Sequence, residues 1–250
     1  MKKIFTLFAL FAMSFCVSAQ QNIKDSIIST SLITVSYGYQ FPGGDLAKRF
    51  TSNSAIGSSY FFKTKKNWIF GADGFFMFRD SIKETGILDS ISTSDGNVID
   101  GDGMYADIKL LERGFYFGAK AGKLFPVLGP NKNSGIVFMV GAGLLQHKIR
   151  IENKDNVAPQ IKGDYKKGYD RLTNGFAISE FLGYMYMGNS KLVSFYAGFE
   201  FIQAWTMNRR SFNFDLMGPD KTKRLDLLSG FRIGWILPLY KRTPETYYYY

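Results

Sequence analysis

The sequence predicts an all-β chain folded as an eight-stranded antiparallel transmembrane β-barrel with a closed, side-chain-filled lumen. Three observations predict it. First, the segment 191–240 holds two stretches in which apolar residues keep one parity: Val193, Phe195, Ala197, Phe199, Phe201 and Trp205, then Leu225, Leu227, Phe231, Ile233, Trp235, Leu237 and Leu239. Second, the other parity carries small and singly charged residues, among them Ser194, Gly198, Glu200, Asp226, Gly230, Arg232 and Gly234. Successive strand side chains point to opposite faces, so each stretch has one greasy wall and one wall of glycines and isolated charges. Apolar toward lipid and polar toward a crowded lumen is the pattern of a membrane barrel strand. Third, no segment after the N-terminus is long and apolar enough for a spanning helix, which leaves strands to do the crossing.

Each strand follows in order. After Met1, Lys2 and Lys3 the chain runs apolar from Ile4 to Val17 and reaches Ser18-Ala19-Gln20, the pattern of a secretory signal peptide over 1–19. Cys16, the single cysteine, belongs to that apolar run, so the mature chain is expected to lack thiol chemistry. Residues 20–30 read as a short periplasmic lead, and the barrel is expected over 31–240. The first strand, Ser31 to Phe41, sets Ile33, Val35, Tyr37, Tyr39 and Phe41 against Thr34, Ser36, Gly38 and Gln40. Pro42-Gly43-Gly44-Asp45 ends it. The second is Asn53 to Lys63, then the polar turn Thr64-Lys65-Lys66-Asn67. The third, Asn67 to Phe78, sets Trp68, Phe70, Ala72 and Phe76 against Ile69, Gly71, Asp73 and Phe75.

A long polar connection, Arg79 to Glu112, leads to a fourth strand from Arg113 to Leu124. There Phe115, Phe117, Ala119 and Ala121 oppose Gly114, Tyr116, Gly118, Lys120 and Gly122. After a short turn, 126–134, the fifth strand runs from Gly135 to about His147, with both parities apolar or glycine. A second long connection, Lys148 to Arg171, precedes the sixth strand, Leu172 to Met187, which the turn 188–191 closes. The seventh and eighth flank a loop from Thr206 to Arg224. Short and long connections alternate, as in outer-membrane barrels, and an even count puts both ends in the periplasm. A soluble eight-stranded barrel would need a polar outer wall, and the polar parity here is too small and too sparsely charged to serve as one. Glycine (26), phenylalanine (24) and tyrosine (15) are abundant and charged residues make up 21%. The net charge of +10 suits anionic headgroups rather than nucleic acid.

The ending Phe231-Arg232-Ile233-Gly234-Trp235-Ile236-Leu237-Pro238-Leu239-Tyr240 looks like the terminal strand read by the outer-membrane assembly machinery, with Phe231, Trp235 and Tyr240 as the signal. Together with Tyr37-Gly38-Tyr39-Gln40-Phe41-Pro42-Gly43-Gly44-Asp45-Leu46, it makes the chain resemble the small outer-membrane β-barrels of Bacteroidota, broadly the OmpX/OmpA and PorT-like group. The resemblance implies architecture and assembly rather than chemistry. The tail 241–250, with Tyr247 to Tyr250 at its end, departs from barrels that stop on their last strand.

Five charges are expected inside the lumen: Asp73, Lys120, Glu180, Glu200 and Arg232. Depth counted from the short turns pairs Asp73 with Lys120 and Glu200 with Arg232, and Glu180 joins them. A barrel of eight strands has room only for its own side chains, so such charges must pair. His147 is the one histidine, expected at the headgroup rim beside Lys148 and Arg150. Catalysis through it would need a serine and an acid that no motif supplies, so the chain is expected to be non-enzymatic. The run Asp95 to Gly103 lacks the EF-hand order and reads as a flexible acidic loop, with calcium as the lesser alternative. No cofactor or metal is expected. The connection 79–112 is acidic and 148–171 basic. Either they pair across the mouth, or the basic side chains hold lipopolysaccharide phosphates. Expected partners are outer-membrane lipid and lipopolysaccharide, the assembly machinery during biogenesis, and an envelope protein. The expected role is structural or loop-mediated contact in the envelope. The alternatives are an accessory subunit of a machine such as type IX secretion and, last, a lipid A-modifying enzyme.

Overall fold

A computed structural model describes residues 26–188 and 192–239. The expected signal peptide, the start of the expected lead, residues 189–191 of the turn, Tyr240 and the tyrosine tail lie outside the described residues. Eight antiparallel strands, β1 (Thr30–Gly44), β2 (Asn53–Lys63), β3 (Trp68–Arg79), β4 (Ile108–Phe125), β5 (Gly135–Asn153), β6 (Thr173–Met187), β7 (Ser194–Asn208) and β8 (Lys223–Leu239), close into one barrel through β1 and β8. The register is staggered. Stepping across partners from Phe41 through Ser229, Phe201, Glu180, Val140, Ala121, Phe70 and Phe62 returns to β1 at Ser31, not at Phe41. Such a stagger is the geometric condition for tilted strands and a narrow interior.

The two walls separate as alternation demands. Phe199, Phe231 and Trp235 stay 59%, 55% and 42% exposed on the outside, while Glu200 and Arg232 are each only 5% exposed within. The fifth strand, whose parity the sequence leaves open, turns Val137, Met139, Leu145 and His147 inward and Ile136, Phe138, Val140 and Leu144 outward. Inward glycines clear space for long neighbours. A Cβ on Gly141 would stand 2.5 Å from Cγ of Lys120, and one on Gly57 would stand 3.1 Å from Nη2 of Arg232.

The interior is filled in layers. Near the chain termini Leu32, Phe61, Ile69, Leu124, Val137, Phe181, Met185 and Ile236 form one apolar cluster, which Ile28 of the lead joins. That lead closes the base. Lys63 Nζ donates to the Ile28 carbonyl (3.1 Å) and to Asn133 Oδ1 (2.9 Å), and Asn133 Nδ2 donates to the Ser26 carbonyl (2.8 Å). A charged layer comes next, then a second apolar cluster at the loop end.

Two expectations fail at that end. β4 and β5 run beyond the expected boundaries, pairing as far as Ile108 with Asn153, whereas β3 leaves β4 at Glu112 and β6 leaves β5 at His147. The paired open ends of this hairpin, from Ile108 to Leu111 and from Arg150 to Asn153, therefore project above the barrel. The long connections are also not free polar loops. Ile87 and Val98 from one, Ala158, Ile161 and Tyr169 from another, and Leu46 and Phe50 after β1 are buried with Ile149 and Ile151 of the hairpin. Leu46–Arg49 forms a short helix, α1, that stoppers the mouth. The acidic run is folded as well: Ile99 bridges Tyr105, and Asp100 Oδ1 accepts the backbone N–H groups of Asp102 (2.9 Å) and Met104 (2.8 Å).

Candidate functional site

The charged layer is built from four strands. Asp73 on β3, Lys120 on β4, Glu200 on β7 and Arg232 on β8 sit on inward parities, and the stagger brings them to one level. Both acids contact both bases. Lys120 Nζ lies 2.7 Å from Asp73 Oδ2 and 2.5 Å from Glu200 Oε1. Arg232 reaches Glu200 Oε1 with Nη1 (2.9 Å) and clamps Asp73 with Nη1 to Oδ2 (2.8 Å) and Nη2 to Oδ1 (2.6 Å). The fork of a guanidinium matches two carboxylate oxygens, which a lysine cannot do. Hydroxyls complete the set: Ser59 donates to Asp73 Oδ1 (2.5 Å) and Arg232 Nε donates to Ser36 Oγ (3.0 Å). Tyr116 Oη and Ser179 Oγ are 2.9 Å apart beside it. Two negative and two positive groups leave the layer neutral, tightly packed and spanning the lumen.

Glu180 does not belong to this layer, which corrects the sequence reading. On β6 the buried positions are Thr173, Gly175, Ala177, Ser179, Phe181, Met185 and Met187, so Glu180 points outward between Val140 and Phe201. The lumen at this height already holds Tyr116 and Lys120, and β6 answers with small inward residues. The signal was present in the sequence, where Gly175, Ala177, Ser179 and Gly183 share one parity and Phe176, Ile178, Leu182 and Tyr184 the other.

His147 is likewise displaced from its expected place. It is 1% exposed inside the mouth, not at the rim, because β5 continues past it. Its Nε2 lies 2.9 Å from Asp226 Oδ2, which also accepts from Thr206 Oγ1 (2.5 Å), and Phe50 packs edge-on against the ring. Buried beneath α1, it has no access to a lipid headgroup.

A further chain of charges, of which the sequence shows the opposite signs of two connections but not the partners, ties the connections together above the mouth. Asp220 meets Arg224 (2.5 Å) and Arg49 (3.8 Å); Arg49 meets Glu84 (3.4 Å); Glu84 meets Arg171 (3.3 Å); Arg171 meets Asp215. The acidic and basic connections thus do pair across the mouth, through Glu84 and Arg171. Burial lowers the Arg49 guanidinium from its ordinary value. Burial works to raise the Asp220 carboxyl, yet hydrogen bonds from Arg224 and Thr222 hold it below the usual carboxylate value. The hydrogen bond from Arg210 to Asp170 raises that guanidinium further.

Of the residues expected to form the assembly signal, Phe231 and Trp235 stand on the outer wall of β8. Phe231 packs on Phe199 with centroids 4.2 Å apart, and Trp235 Nε1 donates to the Leu192 carbonyl (2.8 Å). Tyr240 lies outside the described residues.

No family model and no curated protein sequence matches the chain. Among solved structures it is similar to Ail, the attachment invasion locus protein of Yersinia pestis, at 9% identity and a TM-score of 0.43, covering 83% of this chain and 98% of that one. It is similar to Neisserial surface protein A at 14% identity and a TM-score of 0.42, over 81% and 95% of the two chains. It is similar to the outer membrane protein OprG from Pseudomonas aeruginosa at 14% identity and a TM-score of 0.40, over 85% and 98%.

Proposed function

We propose that the chain is a non-enzymatic, integral outer-membrane barrel, sealed inside, that acts in the cell envelope through its loop crown and its contacts with lipid. The observation that carries this is the inversion of the walls: large apolar side chains exposed all round, and a neutral cluster of two acids and two bases buried across the lumen. Only hydrocarbon makes such an exterior stable. The termini lie in the periplasm in this reading, and the last strand, through Phe231, Trp235 and Tyr240, serves as the assembly signal. On β5, beyond the outward Phe138, Val140 and Leu144, the exposed Lys148 and Arg150 face the level of lipopolysaccharide phosphates in this reading. At the tips Met104, Tyr105 and Met217 are 68%, 65% and 78% exposed, which suits contact with another molecule.

The test is reconstitution. The protein should resist alkaline carbonate extraction from membranes, run at different gel positions before and after boiling, and give planar bilayers no step conductance. Extraction into the soluble fraction, or ion channels, would refute the sealed-barrel reading. A mild-detergent pull-down that recovers envelope proteins in stoichiometric amount would replace it with the accessory-subunit reading.

A further inference from the structure

Glu180 is out of place in a lipid-facing wall. It stands midway along β6, with Ile178 and Leu182 on either side of it on the strand and Val140 and Phe201 across from it. Among the described residues no hydrogen bond or ion pair reaches it. A carboxyl at mid-depth is too far from either surface to extend into water, and ionisable groups facing hydrocarbon are costly unless something pairs with them.

The wall around it has two unlike flanks. On the β5 side lies a shallow, open recess of about 550 Å³ over Ala119, Ala121 and Ala142, bordered by Phe70, Val140 and Phe176. On the β7 side the Phe199–Phe231 ring pair projects. Because the stagger lowers each strand in the direction from β1 through β8 and β7 to β6, Phe199, Phe231, Ala119 and Ala142 all stand near the level of Glu180.

We propose that this face is the interface of a homodimer in the membrane, with a two-fold axis along the membrane normal passing by Glu180. That operation sets β7 of one copy against β5 of the other. Each aromatic projection then enters the other copy's recess, and the two Glu180 side chains meet at the axis. Two carboxyls that share a proton form a short O–H···O bond, and in hydrocarbon a polar pair of this kind holds segments together. The contact is isologous, so it closes at two copies. The inference rests on the outer wall facing hydrocarbon, as the proposed function has it.

The test uses the full chain expressed into membranes with Cys16→Ser and one new cysteine. Leu182→Cys, beside the axis, should cross-link into a dimer on oxidation, and Ile56→Cys, on the far wall, should not. In the Leu182→Cys chain, Glu180→Leu or Ala142→Phe should cut the dimer yield about ten-fold, whereas Glu180→Gln, which keeps a donor and an acceptor, should hold it within about two-fold. Glu180→Leu removes a polar group from the lipid face and is expected to fold, which the gel shift on boiling checks. No more dimer from Leu182→Cys than from Ile56→Cys would overturn the proposal, as would undiminished dimer in Glu180→Leu or an adduct whose mass is not that of two chains. A folded, membrane-retained monomer would sink the dimer alone; a chain not retained in membranes would sink the proposed function with it.

Discussion

Arg232 on β8 grips Asp73 on β3 with two parallel hydrogen bonds of 2.8 and 2.6 Å, joining opposite sides of the barrel through its centre. Replacing Arg232 with Met leaves two carboxylates facing Lys120 alone. Breaking a buried pair by removing one partner typically costs about 3–5 kcal/mol, because the remaining charge is stranded. Arg232→Met should therefore lower the temperature of the gel-mobility shift clearly. Adding Glu200→Gln restores neutrality and should recover part of the loss; no recovery would show that charge balance is not what the layer supplies.

Gly141 makes room for Lys120. An alanine there would bring Cβ to 2.5 Å from Lys120 Cγ and 2.6 Å from the Ala119 carbonyl oxygen, so the strand or the lysine must shift. Overpacking of this kind costs about 1–3 kcal/mol. Gly141→Ala should lower the shift temperature, while Gly101→Ala, whose Cβ would meet nothing nearer than 3.8 Å, should leave it unchanged.

Phe50, 2% exposed, caps His147 with ring centroids 5.5 Å apart. Truncation to alanine removes a large buried side chain, a change worth about 3–5 kcal/mol in a core. Phe50→Ala should lower the shift temperature and make His147 reactive toward diethyl pyrocarbonate in the folded protein. Unaltered protection of the histidine would mean that Phe50 is not what covers it.

Acid should loosen the crown before the barrel. Asp220 titrates below its ordinary value when folded, so its bonds to Arg224 and Arg49 stabilise fully above the unfolded pKa of about 3.9 and are lost as pH falls through the lower folded value. Hydrogen exchange in 209–222 should rise steeply below about pH 4 while the strands stay protected. Asp220→Asn should show raised exchange already at neutral pH and a flatter acid dependence.

Phe231 and Trp235 are exposed on the final strand, and Trp235 ties to Leu192 next to the β6–β7 turn. Phe231→Ala and Trp235→Ala should lower the amount of barrel reaching the membrane, with the inserted fraction still heat-shifting. Equal membrane levels would separate these residues from assembly.

How far the sequence carried depended on period. Where one parity was visibly greasy, as in Val35-Ser36-Tyr37-Gly38, the strand and its facing followed directly. The four charges of the lumen layer were legible because each sat on the parity opposite the outward aromatics, with a glycine two residues away. Glu180 was misplaced because its charge outweighed the alternation of small residues around it. β5 was opaque because a side chain can be apolar on both walls when the lumen itself has apolar layers. Of the crown only the opposite signs of two connections could be read: Arg49, Glu84, Arg171 and Asp220 come from four connections and meet only once the strands have placed them.

The connections share one apolar core, in which Ile87, Val98, Ile161, Tyr169 and Phe50 are packed together. Connecting segments ordinarily vary independently of one another. Here a change at Ile161 alters the seat of its neighbours, so tolerated variation is confined to protruding tips such as Met104, Tyr105 and Met217. Natural diversity in this chain should concentrate at those tips, with the residues beneath them changing only in concert.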